Sequence, residues 1–583
     1  VKNLKKIFIL AAIATLALVI TACGQDDAPA AGAGTGAAGG ATGGTAATTD
    51  TGAAGGGAVL SPDNPRTINA WIVTQEMAPA PDNRISALLA DRLGVTINYM
   101  LVTPEQQDQQ VGVMLAGGDI PELVGSTDAQ ARLVQGGALL RLDPFLDSGD
   151  FPLLYQHIAP YRTRLSWNGG GVEDGFYQFP NYNRFYGDPP IMGPTWWGTA
   201  FWMQKAVAEW HGFPNMDNLD LYRYFDMIEE YMLANPTIDG MPTIGFTFPV
   251  SGRIWGLLNP PLFLAGHPNN GGVMVFDGQA QIYANSEWAE RYFRILNDVN
   301  ARGLLDPETF TQTLDQYFAK LASGRVLGMH DQRWGFGVAY DALVANEQFE
   351  RTWFATVPTF DGIEPWYADR DVMNINQGFG IGVNAEDPEM LMTFLETLIS
   401  PEWQIILSWG EEGIDYFVDA NGRFYRNDEQ RANANDLNWR TSNRLMALFD
   451  QLPKIQGTLP DGNAFSPGDQ PEEFQVGLSD YNRFFLEQMG KNTWREFLND
   501  PPDNPPYFPA WQISPPDGSA AQVAASQMDD AAMQFLPPAI MGPVDQFDAN
   551  WAAYIAQFDL IDVAAFEAVI TEGIQERIAL FGN

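Results

Sequence analysis

Hydrophobic and polar positions divide the chain into three stretches of different character. Residues 7–23, IFILAAIATLALVITAC, form an almost unbroken apolar run behind Lys2, Lys5 and Lys6. The run is shorter than the roughly 20 residues that usually span a bilayer, so a spanning helix is the weaker reading and an export signal the better one. Residues 28–58 are nearly all Ala, Gly and Thr. That composition buries too little apolar surface to offset its chain entropy, which predicts a flexible tether. Ser61-Pro62-Asp63-Asn64-Pro65 then marks entry to a folded body whose polar and apolar positions alternate in regular ways.

Residues 67–73 alternate and are β-rich, residues 84–93 carry Ile85, Leu88 and Leu89 on one helical face, and Gly94 stops that helix before a β-rich stretch at 95–99. This predicts a β-α-β opening with parallel strands, whose strand-end loops share one edge of the sheet, where open α/β domains bind ligands. Trp71, Thr74, Gln75 and Glu76 fall at or just past the end of the first strand, which makes Glu76 a candidate ligand group. Residues 378–416 read as a strand and two helices, with Asp387 and Ser400 as N-caps and Pro388 and Pro401 at the first helical positions. Leu391, Phe394, Leu395 and Leu398 make an apolar stripe on the first of these helices. Residues 547–558 and 566–581 read as amphipathic helices that pack on a core, through Trp551, Ile555 and Phe558, then Phe566, Ile570, Ile574 and Ile578.

At 583 residues with 45% hydrophobic content, the chain has material for two or three domains. A formal net charge of −40 argues against nucleic-acid binding and disfavours polyanionic ligands. One cysteine permits no intramolecular disulfide. His157, His211, His267 and His330 show no zinc-type spacing, so neither a metal nor another cofactor is expected. Gly378-Phe379-Gly380-Ile381-Gly382 lies inside a β-like run and lacks the strand-to-helix turn that cradles phosphate. Paired carboxylates could serve glycoside hydrolysis, but with 72 acidic residues a neighbouring pair such as Glu411-Glu412 is ordinarily a solvated face. No catalytic residue is assigned, and a hydrolase stays open as a competing class.

Aromatic residues are 12% of the chain and occur beside polar groups. Sugar rings stack their apolar faces on Trp or Tyr and hydrogen-bond through their hydroxyls to Asp, Asn, Gln and Arg. The richest clusters are residues 179–186 with Tyr182, Arg253 to Trp255, residues 330–334 with Asp331, Arg333 and Trp334, and residues 366–370 with Trp366. Trp196, Trp197 and Trp202 are expected in the core.

Several motifs resemble a known family. In order they are MLAGGDIPELVG at 114–125, GGALLRLDPF at 136–145, DGFYQFPN at 174–181, Ser323 to Met329 followed by Trp334, and Val357-Pro358-Thr359-Phe360. Trp409-Gly410-x-x-Gly413-x-x-Tyr416, residues 292–310 and residues 538–548 add to them. Together they resemble the extracellular solute-binding protein family 1 of ABC importers, in its large lipoprotein subset common in Gram-positive bacteria. Ile20-Thr21-Ala22-Cys23 likewise resembles a bacterial lipobox.

The family resemblance implies an α/β, two-lobe periplasmic-binding-protein-like fold of type II, with a hinge and an enlarged helical C-terminal portion. Residues 1–22 would be the signal peptide and 23–60 the lipid-anchored linker. Lobe one would hold 61–181 and 358–402, and lobe two 182–357 and 403–583, with crossings near Pro180 and Pro358. It further implies no enzyme but a monomeric receptor on the extracellular face of the cell membrane, passing an oligosaccharide to ABC permease transmembrane subunits. A surface-anchored carbohydrate-active enzyme and a peptide receptor remain alternatives. The family position makes Trp334 a stacking aromatic beside Asp331 and Arg333. In the lobe-one loop of Ser126, Thr127, Asp128 and Gln130 no aromatic remains, and Asp128 is the candidate hydroxyl acceptor. Relatives often carry a calcium loop where this chain has residues 235–242, with Asp239 the only carboxylate, so no metal is expected there.

The lipobox resemblance places a thioether-linked lipid on Cys23, and two or more acyl chains give stable anchoring. Cys23→Ala should release the protein from membranes, and labelled fatty acid should enter the wild type alone. Retention of the variant in the membrane fraction would refute the assignment.

Overall fold

The computed structural model describes residues 59–581 except 128, 160–161, 166–174, 182–192, 369–376, 456, 460 and 501–509. The signal, Cys23 and the tether to residue 58 lie outside the described residues. So do Asp128 and Tyr182.

The opening forms as its pattern predicts. Arg66–Val73 and Val95–Val102 pair in parallel, joined by the helix Arg84–Leu93. Asn83 caps this helix by accepting from the Ser86 N–H, and Gly94 ends it at φ +68°. Alternation along Arg66–Val73 serves two cores. Ile68, Ala70 and Ile72 face the layer containing Ile85, Leu89, Leu391 and Leu395, whereas Trp71 and Val73 face Val111, Met114 and Leu133. Both faces of this first sheet are therefore covered, the arrangement that parallel strands require.

That sheet runs in the order Val95–Val102, Arg66–Val73, Leu123–Thr127, Gln377–Ile381, Gln178–Pro180, with Gln377–Ile381 antiparallel to both neighbours. A second sheet runs Trp353–Thr356, Thr199–Gln204, Val326–Gln332, Ile244–Thr247. It anchors a separate, larger core, rich in Phe, Tyr and Trp. The architecture is a two-lobe α/β fold, each lobe built on one of these sheets.

The structure moves two expected boundaries. Residues 358–368, expected in lobe one, belong to lobe two: Phe360, Tyr367 and Ala368 are in its core, the Tyr367 ring stacks on Phe263, and its hydroxyl donates to Pro358 O. The chain therefore wraps lobe two well past Pro358 before it reaches Gln377. Residues 403–455, expected in lobe two, pack on lobe one instead. Trp403, Ile406, Leu407, Leu445, Leu448 and Leu452 join the core of Ile68 and Leu391. The N-caps Asp387 and Ser400 form as predicted, accepting from Met390 N and Trp403 N. The C-terminal helices Phe547–Phe558 and Val563–Phe581 do pack on lobe two, the first through Trp551, Tyr554 and Phe558. The second buries Ile570 and Ile574 against Val273 and Ala280 of a hairpin.

The Trp409-Gly410-x-x-Gly413-x-x-Tyr416 motif forms a small core of its own. Trp409 is enclosed beside Tyr416 and Phe424 and donates to Ala464 O. Beneath it Asp415, with no exposed side chain, accepts from Arg84 at 2.6 Å, and Arg444 lies 3.5 Å away. Burial lowers the Arg444 guanidinium to about 10. Gly410 sits at φ +102°, and a Cβ there would overlap Asp415 Oδ2 and Arg444 Nη1.

Gly410→Ala should therefore lower stability by about 2 kcal/mol or more, combining a left-handed backbone with disruption of a buried ion pair. Gly413 also has positive φ, +81°, but open space around it, so Gly413→Asn should cost only about 1 kcal/mol. Urea unfolding followed by tryptophan fluorescence compares the two. Equal losses would show that the ion network is not what requires Gly410.

Candidate functional site

The second sheet delivers the densest group of candidate residues at the end of one strand. Val326–Gln332 is buried at six of its seven positions and lies between Thr199–Gln204 and Ile244–Thr247. At its end the chain turns sharply, with Gly335 N donating to Gln332 O at 2.7 Å. Trp334 projects from this turn, half exposed, its ring 5.8 Å from that of Trp255 and tilted by 43°. Its indole N–H donates to Gln332 Oε1 at 2.5 Å, which fixes the ring edge.

Trp197 completes the wall. The backbone N–H groups of Arg333 and Trp334 donate to Gly198 O and Trp197 O, so the strand Thr199–Gln204 is extended backwards and Trp197 is carried beside the turn. It is 47% exposed, against the expectation of a core position, whereas Trp202 is buried and donates to Asp331 O, and Trp196 is partly buried and donates to Thr199 O. The usable signal was position: Trp197 lies just ahead of a strand whose start pairs with Gln332, so it stands at the same sheet edge as Trp334.

Two expected ligand groups stand behind the wall. Asp331 has no exposed surface; its Oδ2 accepts from Tyr317 OH at 2.8 Å and its Oδ1 from Gln332 N at 2.7 Å. Burial pushes this carboxyl up to about 6, against the opposing pull of Arg253 and of these two hydrogen bonds. Arg333 is also enclosed, its guanidinium 3.8 Å from the Tyr340 ring and 5.1 Å from that of Trp197, with Asp341 at 3.8 Å. Both side chains were expected to meet ligand. The strand and the aromatic layer around them occupy their polar atoms or cover them, so they support the wall.

Lobe one contributes Glu76, half-buried after the strand Arg66–Val73. Its N–H donates to Thr74 Oγ1, which donates in turn to Asp450 Oδ2 at 2.7 Å. Burial raises its pKa, Arg440 opposes that rise, and Asp450 and Asp341 add to it. Asp341 belongs to the helix Gly337–Ala345 of lobe two, immediately after the Trp334 turn, so the Glu76 carboxyl lies within electrostatic reach of the second lobe. Arg132 likewise bridges the lobes, bonding Asp108 Oδ1 at 3.0 Å and Asp517 Oδ2 at 2.8 Å. Arg440, Asp450 and Asp341 are site neighbours that the sequence did not single out, since nothing local joins them to residue 76.

Trp366 is half-buried in the wrap around lobe two, next to the stacked Tyr367, and not in the turn that carries Trp334. Residues 237–242 form a hairpin, Thr237–Ile238 against Met241–Pro242, with Asp239 and Gly240 at its tip at φ +51° and +79°. A tight hairpin offering one carboxylate does not supply the six or more oxygens that calcium takes. A separate cavity of about 640 Å³ in lobe two, lined by Phe213, Asp217, Thr356, Lys491, Phe497 and Asn499 among others, shares no residue with the aromatic wall.

No family model matches the sequence, and no curated protein matches it. Solved structures do resemble it. An alginate-binding protein, AlgQ2, without calcium ion, superposes with a TM-score of 0.60 at 12% identity, over 88% of this chain and 98% of that one. The S. pneumoniae ABC-transporter substrate-binding protein FusA in complex with kestose gives 0.60 at 13%, over 88% and 100%. An HMO-binding, ABC-transporter-associated solute-binding protein from Bifidobacterium longum infantis gives 0.56 at 16%, over 88% and 99%. At these identities the likeness concerns the fold, and it establishes that this chain is built as the two-lobe solute-binding proteins are.

Proposed function

We propose that this chain is the substrate-binding component of an ABC importer, anchored by lipid on Cys23 at the extracellular face of the membrane, and that it captures an oligosaccharide between its lobes. The observation that carries this reading is the wall of Trp334, Trp255 and Trp197 at the end of a buried strand, with Glu76 of the other lobe within electrostatic reach of Asp341, on the helix that follows the Trp334 turn. Stacked rings and a few convergent polar groups are what a sugar-binding cleft requires. The fold likeness to proteins that take kestose and alginate agrees with it.

The mechanism needs no covalent step. Sugar rings lie on the lobe-two aromatics, hydroxyls bond to lobe-one groups including Glu76, and closure about the crossings sequesters the ligand in the form a permease recognises. The strongly acidic chain favours a neutral oligosaccharide over a polyanionic one. A hydrolase would need two accessible carboxyl groups flanking a glycosidic bond, and Asp331, the carboxyl nearest the wall in sequence, is enclosed.

Thermal-shift screening against neutral oligosaccharides, uronate oligomers and peptides tests the reading, with ligand recovery by mass spectrometry. Stabilisation by a neutral oligosaccharide that is recovered intact is expected. Stabilisation by peptides alone, or release of shortened sugar, would overturn it. Within the binding reading, Trp334→Ala should leave the ligand-free Tm nearly unchanged and weaken binding by about 1–3 kcal/mol, the usual worth of a stacking aromatic. A large loss of ligand-free stability with affinity intact would make Trp334 a packing residue.

A further inference from the structure

We propose that Arg253 and Asp331 are the positioning pair of the aromatic wall: together they clamp the 332–335 turn from inside lobe two and set the angle at which Trp334 meets Trp255, without touching ligand. The inference rests on reading the wall as the ligand-binding surface.

Arg253 is placed to control both rings. Its side chain is 4% exposed, and Nη1 donates to Gly335 O at 2.9 Å, inside the turn that carries Trp334. Its guanidinium carbon lies 5.6 Å from the Trp334 ring and 5.6 Å from that of Phe318, so it fills the space beneath the indole. Its backbone governs Trp255: Arg253 N donates to Val250 O and Arg253 O accepts from Gly256 N, closing the turns that start the helix Trp255–Leu258. Asp331 holds the other side of the same turn. A Cβ placed on Gly335 would lie 2.8 Å from both Arg253 Nη1 and Asp331 Oδ1, so cation and carboxylate converge on one backbone position. Tyr317 OH, Gln332 N and the Trp202 indole N–H, the last on the backbone carbonyl, fix Asp331 itself. A third strut joins the two ring-bearing elements, His330 Nδ1 donating to Gly256 O at 3.1 Å.

The arrangement couples the wall to acid. Asp331 faces Arg253 from the 250–255 segment and Tyr317 from the helix Leu314–Ala322, whose phenol burial holds un-ionised. Thr199–Gln204 and Ile244–Thr247 contribute no titratable side chain, and Arg333 is taken up by Tyr340 and Asp341. His330 is kept neutral by burial, at about 3. The folded-state value of Asp331, about 6, lies above its ordinary 3.8. Ionisation of this group therefore costs fold stability as pH rises through about 6, and acidification removes that cost while taking the counter-charge from Arg253. The wall should loosen in acid although this group's contribution to global stability increases.

The test reads the rings without ligand. Trp255 and Trp334 are close enough for an exciton couplet in circular dichroism, isolated by subtracting the spectrum of Trp255→Phe. The couplet should change with pH with a midpoint near 6 in the wild type. In Asp331→Asn, a near-isosteric variant, it should be weak at every pH, and in Arg253→Gln it should be weak with the protein still folded. A wild-type couplet flat through this range, or unchanged in Asp331→Asn, overturns the proposal even if Arg253→Gln fails to fold. Because no ligand is added, this result stands apart from the functional reading: a couplet that behaves as expected, in a protein that no oligosaccharide stabilises, sinks sugar binding and leaves the positioning pair.

Discussion

The burial of the strand Val326–Gln332 is the constraint on which the site depends. It is paired on both sides and covered on both faces, so its end cannot shift without breaking the ladder of lobe two. Everything that stands there inherits that rigidity: the turn with Trp334, the helix Gly337–Ala345 with Asp341, and, through Gly198 and Trp197, the preceding strand. A stacking surface made from rings with two side-chain torsions each has little freedom to lose when an apolar face is laid on it. Mounting it on a strand end removes most of the remaining motion.

Charge is used sparingly but at depth. The chain carries 72 acidic against 32 basic residues, yet its enclosed carboxylates are matched by particular partners. Asp415 meets Arg84 and Arg444 beneath Trp409, and Asp306 meets Lys320 at 2.7 Å beside Gln312. Removing one member of such a pair strands the other in a low-dielectric interior, which fixes geometry more than it adds stability. Lys205 differs. It is fully buried with Thr352 and Asn482 as acceptors and the Trp494 ring 4.2 Å away, and burial holds its pKa well below the ordinary lysine value.

The lobes exchange chain in a way that explains the misplaced boundaries. Residues 358–368 continue along lobe two because Tyr367 has a stacking partner there and Asn499 receives the N–H groups of Tyr367 and Ala368. Residues 403–455 return to lobe one because Gln404 binds Pro453 O and Gln451 binds Val73 O, closing a long loop onto the first strand. Neither partner is near in sequence, so composition and periodicity could not assign these segments.

Local elements needed nothing beyond the order of residues. Periodicity placed the helix Arg84–Leu93, and caps placed Pro388–Leu398 and Pro401–Ser408 at their observed starts, because Asp or Ser beside the first turn satisfies free N–H groups wherever the helix ends up. Motif order pointed to two α/β lobes, and family position pointed to Trp334, which stands half exposed just beyond the end of the strand Val326–Gln332. The side of the wall that each neighbour occupies was set instead by packing between distant segments. Asp331, Arg333 and Trp334 are close in the chain, yet one indole faces out while the acid and the guanidinium are enclosed. The reason is that Arg333 and Trp334 lie in the turn beyond the strand, where no ladder fixes which side is covered, and the groups that enclose the acid and the guanidinium, Tyr317 for one and Tyr340 with Trp197 for the other, arrive from elsewhere in the fold.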